Sequence, residues 1–311
     1  MSGCAVNPSQ NKAKTQVESV LASPQYVLGD EGLSVCVVTQ IDPSTDTFAQ
    51  WGQRFDRTAV VTDITFAGHT MVNQLGLPDE FGQLGVGVLG FDDARPGESF
   101  IKPGVAVFRK PDTHAYRSSN VYEVVSLIAS KVTAGDNQLT VQQTSPIVRG
   151  YGYHMVKTYR VDVELGRLVI TYELTNTGKH RFEFEHYNHN FLTLDNQPFG
   201  ERYHITLGKP VASLPHSWMH MAGNRLVIEG DPGAVGFVQV NESMTTIQAD
   251  LRIESASGRL GVRLTGSHPA YRFAHFFTAN SYSPERFTRV QLEPQASATW
   301  QACYDFYTTM P

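Results

Sequence analysis

The segment Arg181-Phe182-Glu183-Phe184-Glu185-His186-Tyr187-Asn188-His189-Asn190-Phe191 concentrates side chains able to move protons: two histidines, two glutamates and a tyrosine. Read as a strand, its side chains alternate between two faces. Phe182, Phe184 and His186 share one face, and Glu183, Glu185, Tyr187 and His189 share the other. A merely solvated strand would more often carry Lys, Thr or Ser, so this row of carboxylates, a phenol and an imidazole suits a cleft-lining face. The plainer alternative is an exposed strand face with a satisfied histidine. Spacing argues against a metal site, because ligands from one strand would lie two residues apart and His186 and His189 lie three apart, on opposite faces. Neither a metal nor an organic cofactor is expected.

Strands must position these groups. From about Tyr26 onward, short stretches rich in Val, Thr, Phe and Tyr alternate apolar and polar residues between Gly, Asn, Asp and Pro punctuation, which predicts an all-β fold. Tyr159, Val161, Val163 and Leu165 fall on one face, and Leu168, Ile170, Tyr172 and Leu174 repeat the pattern after Gly166-Arg167, as a hairpin would. Residues 121–133 and 138–143 bracket a second turn at Ala134-Gly135-Asp136-Asn137, although 121–131 would also suit a buried helix. The stretch 74–104 has little periodicity and reads mostly as loop, ordered by Phe81, Phe91 and Phe100. Residues 12–21 suit one short helix within an N-terminal arm, 1–25. No linker or repeat divides the rest of the chain, so 26–311 is expected to be a single domain.

Composition narrows the partners. The chain has 311 residues, of which 41% are hydrophobic and 18% charged, enough for a sizeable core. Its 30 acidic and 25 basic residues give a net charge of −5 without a basic stripe, which argues against nucleic acid and membrane partners. Three cysteines without Cys-x-x-Cys spacing suggest neither a disulfide framework nor a thiolate zinc site. With no basic and apolar leader at Met1-Ser2-Gly3-Cys4-Ala5, the expected location is cytoplasmic, and Asn241-Glu242-Ser243 is then a chance glycosylation sequon. A homodimer is compatible with these features.

Three groups of residues, in order along the chain, resemble the galactose mutarotase (aldose 1-epimerase) superfamily. They are Gly52-Gln53-Arg54-Phe55-Asp56-Arg57 leading to Gly68-His69; Leu174-Thr175-Asn176-Thr177-Gly178 followed by Tyr187-Asn188-His189-Asn190-Phe191; and Ser283-Pro284-Glu285-Arg286-Phe287 with Gln291-Leu292-Glu293-Pro294 and Tyr304-Asp305-Phe306. The resemblance implies a large antiparallel β-supersandwich with an open cleft for a small-molecule sugar. It also implies an acid/base reaction that opens the ring and recloses it on the other anomeric face. By motif, Glu285 would be the base, His189 the acid, Asn188 a ligand to a sugar hydroxyl, and Arg54 a donor near the ring oxygen. Tyr187 and Glu185 would line the same face.

The resemblance breaks at one place. A glycine-rich loop that usually carries a second histidine reads Asp79-Glu80-Phe81-Gly82-Gln83-Leu84-Gly85 here, leaving Glu80 or Lys110 to meet sugar hydroxyls. A carbohydrate-binding or regulatory protein without turnover is therefore a second reading. A glycosidase or lyase is a third, pairing Glu285 with Glu185 or Glu80 at about 5 to 9.5 Å across a cleft. A single glutamate facing His189 across a sugar-sized gap would instead favour epimerisation.

Overall fold

The computed structural model describes residues 23–41, 52–210, 219–229, 235–240 and 250–309. The helix expected over 12–21 and the sequon at Asn241 lie outside them. Among the described residues every element is a strand, and every strand pairing is antiparallel. The all-β supersandwich expectation holds. A ten-stranded sheet runs from Met219–Ala222 at one edge to Ala129–Gly135 at the other, with Ser297–Thr308, Arg167–Asn176 and Tyr153–Asp162 near its middle. A five-stranded sheet packs over it, in the order Val235–Val240, Arg272–Thr278, Ser281–Leu292, Phe182–Asn188 and Asp79–Phe81. Sheets of four and three strands make up the remaining strands of the described residues. No helix among the described residues is long and apolar enough to cross a membrane.

The alternation read from the sequence is what joins the layers. Leu168, Ile170, Tyr172 and Leu174 are all buried on the ten-stranded sheet, and Phe81, Phe184, Phe273 and Phe277 meet them from the five-stranded one in a shared core. Trp300 stacks on Tyr172 with ring centroids 5.3 Å apart and touches Phe184 from the other side. The hairpin forms, but its first strand ends earlier than the alternation suggests. Asp162 accepts a bond from the Leu165 amide at 3.0 Å, 163–166 form the turn, and Leu165 is exposed. The stretch 121–133 is likewise two strands, Glu123–Leu127 and Ala129–Gly135, which belong to different sheets. The chain crosses between them at Ile128, whose amide bonds to the Val105 carbonyl.

A buried polar network ties the two layers together behind the sequence-predicted site. Asp79 Oδ1 accepts bonds from Tyr172 OH at 2.7 Å, His186 Nε2 at 2.9 Å and Asn188 Nδ2 at 2.6 Å. Asp79 Oδ2 takes one from Lys157 Nζ at 3.0 Å, and Lys157 also contacts Asp56 at 2.6 Å. Trp300 Nε1, which can only donate, bonds to His186 Nδ1 at 2.9 Å, so the His186 ring proton sits on Nε2 and points at Asp79. Burial alone would push the Asp79 carboxyl up, but the ammonium of Lys157 and the His186 bond hold it down at about 2. Removing one partner of such a network leaves a charge in the core. Asp79→Ala is expected to lower the unfolding free energy in urea by about 3–5 kcal/mol, whereas Leu165→Ala should change it by less than about 0.5 kcal/mol. Equal effects of the two substitutions would refute the role given to Asp79.

Candidate active site

The five-stranded sheet sorts its residues by parity. Asp79, Phe81, Phe184, His186, Asn188 and Phe273 face the core; Glu80, Glu185, Tyr187, Glu285, Phe287 and Arg272 face the other way. Tyr187 pairs with Glu80 on one side, and Arg272 pairs with Phe287. The pairing of Phe182 with Leu292 through His186 with Thr288, continued by three residues, sets His189 opposite Glu285 just beyond the strand end. Chain geometry thus collects ionisable groups from four segments on one face.

The two residues singled out as acid and base do meet. His189 Nε2 lies 3.2 Å from Glu285 Oε1, and both side chains are almost fully buried. Phe191 stacks on the His189 ring at 4.1 Å between centroids, Phe276 stands edge-on at 4.6 Å, and Phe55 closes another side at 5.7 Å. Two polar atoms of the pair, His189 Nδ1 and Glu285 Oε2, are buried and have no hydrogen-bond partner among the described residues. Leaving such atoms unpaired costs about 1–3 kcal/mol each. The sugar-sized gap set as the sign of an epimerase is not present between these residues: they touch.

Beside the pair lies a compact charge cluster. Arg54 Nε donates to Glu80 Oε2 at 2.6 Å, and Arg54 Nη2 donates to Tyr187 OH at 2.7 Å. The Tyr187 hydroxyl in turn donates to Glu80 Oε2. Lys102 Nζ lies 3.7 Å from Glu80 Oε1 and donates to the Phe81 carbonyl at 2.5 Å, with the Tyr116 ring 5.4 Å away. On the other flank, Arg272 lies over the Phe287 ring at 3.5 Å, and its Nη2 reaches Glu185 Oε1 at 3.3 Å and Gln83 Oε1 at 3.1 Å. The glycine-rich loop is bound edge-on here, with Gly82 N donating to Glu185 O and Glu185 N donating to Val86 O. Gly87, at φ 98°, allows that approach, since a Cβ there would come within 3.2 Å of the Glu185 nitrogen and of Phe184 Cα.

Burial and charge set the protonation states. Burial pushes the Glu285 carboxyl up to about 8, against the pull of Arg54 and with a push from Glu80. Burial, and then the Arg54 charge, hold His189 well below the ordinary imidazole range. Burial lowers Lys102 to about 8 although Glu80 acts to raise it, and burial raises Glu185 although Arg272 opposes it. For Arg54 burial is outweighed by Tyr187, Glu80 and Glu285, and its pKa rises. Near neutrality, then, His189 is neutral and Glu285 largely protonated. The pair holds one proton in the bond between its members.

The placement of the other expected residues is mixed. Arg54, Glu80, Glu185 and Tyr187 fall in the cluster. Asn188 does not present its amide there: on the opposite face its Nδ2 is held by Asp79 and Tyr172 OH, because the residue after Tyr187 on a strand must point the other way. Lys110 is also elsewhere, its ammonium bonded to the Phe91 carbonyl at 2.9 Å and set over the Phe91 ring. The lysine beside Glu80 is instead Lys102, which sequence reasoning missed along with Arg272 and Phe276. Arg272 had a legible signal, since a hairpin turning at Ala279-Asn280 sets Arg272 across from Phe287.

No protein-family model and no curated protein matches the sequence. Solved structures do match in shape. A Synechocystis protein superposes with a TM-score of 0.59 at 12% identity over 95% of this chain and 100% of that one. A galactose mutarotase-like protein from Lactobacillus casei gives 0.56 at 12% identity, over 91% and 100%. A GalM/aldose epimerase homologue from C. elegans gives 0.57 at 11% identity, over 93% and 100%. The chain has the galactose mutarotase-like fold. At such identities the likeness speaks for the fold and not for an activity.

The protonation of Glu285 bears on stability. Between the ordinary carboxylate pKa of 4.5 and about 8 the folded chain holds a proton that the unfolded chain has released, so this group's contribution to stability declines as pH rises through that window. Glu285→Gln cannot ionise. It is expected to be more stable than the parent at pH 9 by about 1–3 kcal/mol and to keep little of that advantage at pH 5. Urea unfolding at the two pH values measures it, and a difference that does not vary with pH would contradict a buried, proton-holding Glu285.

Proposed function

We propose that this protein is an aldose 1-epimerase-like enzyme, interconverting the anomers of a sugar by acid/base ring opening at His189 and Glu285. The observation that carries the reading is the buried pair at 3.2 Å whose remaining polar atoms, Nδ1 and Oε2, are both buried without partners among the described residues. The mutarotase-like fold, shared with a GalM/aldose epimerase homologue, supports it.

With Glu285 protonated and His189 neutral, the carboxyl proton on Oε1 bonds to Nε2, which leaves Nδ1–H as a donor and Oε2 as an acceptor. The anomeric and ring oxygens share one carbon, so the sugar enters between the two side chains with the shared proton passing to His189. The Glu285 carboxylate then takes the proton of the anomeric hydroxyl while the imidazolium gives its proton to the ring oxygen. The C1–O5 bond breaks as C1=O1 forms, rotation of the aldehyde exposes its other face, and the reverse transfers reclose the ring. No net charge forms on the pair, which suits its apolar walls of Phe55, Phe191 and Phe276. Arg54, one-third exposed while Glu80 is fully buried, is the cluster's outward member and is placed to bond a sugar oxygen.

A carbohydrate-binding protein without turnover is the second reading, favoured by the contact between His189 and Glu285 and by Glu80 in place of the family's loop histidine. The glycosidase reading has less support: Glu185 is paired with Arg272, and Glu80 Oε2 is bonded to Arg54 and Tyr187, which leaves only Glu80 Oε1, 3.7 Å from Lys102, without a hydrogen-bond partner among the described residues.

Anomer exchange followed by polarimetry or NMR over a panel of hexoses tests the proposal. His189→Ala and Glu285→Ala should each slow exchange by at least about 100-fold. The rate should be flat around neutrality and fall above about 8, as Glu285 loses the shared proton. Unchanged rates in both variants would remove the mechanism, and saturable sugar binding without exchange in the parent would establish the second reading.

A further inference from the structure

A cavity of about 650 Å³ lies apart from His189 and Glu285, between the turn joining strands Leu251–Ser255 and Leu260–Gly266, the end of Ser297–Thr308, and the loop after the His189 segment. His69, Asp195, Arg202, Ser257, Arg259 and Leu260 are among its lining. Its volume is within the roughly 300–1,000 Å³ of small-molecule sites. We propose that this cavity is a second binding site, for a sugar-sized molecule carrying a phosphate group.

The charges are arranged for an anion. Arg202 Nη1 is held by a neutral partner, Gln197 Oε1, at 2.8 Å, and neither Arg202 nor Arg259 pairs with a carboxylate among the described residues. Of the arginines on the adjoining ten-stranded sheet, Arg263 pairs with Asp250 at 2.5 Å and Arg167 pairs with Asp305, whereas Arg160, Arg225 and Arg252 form no ion pair among the described residues, so it is the convergence of Arg202 and Arg259 on one cavity that sets them apart. The one carboxylate in the lining, Asp195, is engaged by His69 Nδ1 at 2.7 Å and by the Thr70 amide at 2.9 Å. Two guanidinium groups against one engaged carboxylate make this concavity positive on a chain whose net charge is −5. Guanidinium forks match phosphate oxygens better than any other side chain, and the Ser255 and Ser257 hydroxyls, bonded to each other at 3.0 Å, leave one hydroxyl proton as a further donor.

The backbone holds the acidic residue in this role. Asp195 and Asn196 are consecutive non-glycine residues at φ 56° and 54°, in a tight turn closed by Gln197 N donating to Leu194 O at 3.1 Å. Aspartate and asparagine tolerate the left-handed region better than other residues, yet two in succession are uncommon and need support from their surroundings. That turn brings Asp195 against His69, fixes which imidazole nitrogen faces it, and leaves Nε2 as the ring atom available to a ligand. Leu194 and Leu260 give the cavity apolar surface for the uncharged body of the molecule.

Equilibrium binding by NMR or calorimetry on the full chain at low ionic strength tests the site with a hexose 6-phosphate, inorganic phosphate and the parent hexose. The hexose phosphate should bind saturably, be displaced by inorganic phosphate, and weaken by at least about tenfold in a variant carrying Arg202→Ala and Arg259→Ala. Both arginines are exposed, so the variant should fold as the parent does. Binding should persist in His189→Ala, which separates this site from the proposed active site. The proposal is overturned by no saturable binding below about 10 mM, by binding that the double variant leaves unchanged, by binding lost in His189→Ala, or by displacement with the parent hexose but not with phosphate.

Discussion

The carboxylate of Asp79 is the constraint on which the site side of this molecule depends. It accepts bonds from Tyr172, His186 and Asn188 and faces Lys157, so one short strand is tied to both layers of the sandwich at once. Its chain neighbour Glu80 must then point the other way, and the same holds for Tyr187 between His186 and Asn188. The pairings of Tyr187 with Glu80 and Asn188 with Asp79 are therefore specified from both faces of the sheet. A slip of one residue would bury Glu185 and Tyr187 against Trp300 and turn Phe184 and His186 toward the charge cluster.

Behind the sheet the network is satisfied; in front of it the balance is incomplete. Arg54, Lys102 and Arg272 stand among Glu80, Glu185 and Glu285, and an arrangement fully ionised at that depth would be costly. The charge distribution resolves this by degree of burial. Arg54 keeps its charge and part of its exposure, whereas Lys102 and Glu285 are each moved to about 8 from opposite directions. His189 has no neighbouring charge that favours its protonation strongly enough to overcome the surrounding phenylalanines and Arg54. What remains is a neutral, proton-holding pair beside a charged cluster, the kind of environment in which pKa values are set by the surroundings rather than by residue type.

Much of this is legible in the sequence because parity is a local property. The separation of His186 from His189, the facing of Glu185 with Tyr187, and the all-β pattern all follow from a period of two. The ordered motifs around Arg54, His189 and Glu285 supply the long-range part of the pairing that alternation cannot. Where sequence and structure part, tertiary geometry is the reason. The motif assigns Asn188 to the cleft although its own parity puts it on the core face. Lys110 and Lys102 both follow apolar strand residues within a dozen positions, and only the folded path shows that Lys110 reaches the Phe91 carbonyl while Lys102 reaches Glu80. The strand end at Asp162 and the crossing at Ile128 depend on single hydrogen bonds that no periodicity encodes.

The missing loop histidine takes on a different meaning in this setting. A histidine at Glu80 would place a second imidazole within reach of Arg54 and Lys102, whose positive charges disfavour its protonated form. A glutamate there instead accepts from Arg54 and Tyr187 and fixes both, holding the arginine at the partly exposed edge of the cluster. Under the proposed epimerase reading, Glu80 would act through Arg54 as a positioning residue. The missing imidazole therefore weighs against the proposed turnover more than against sugar binding, because neither Glu80 nor Arg54 replaces it as a neutral donor.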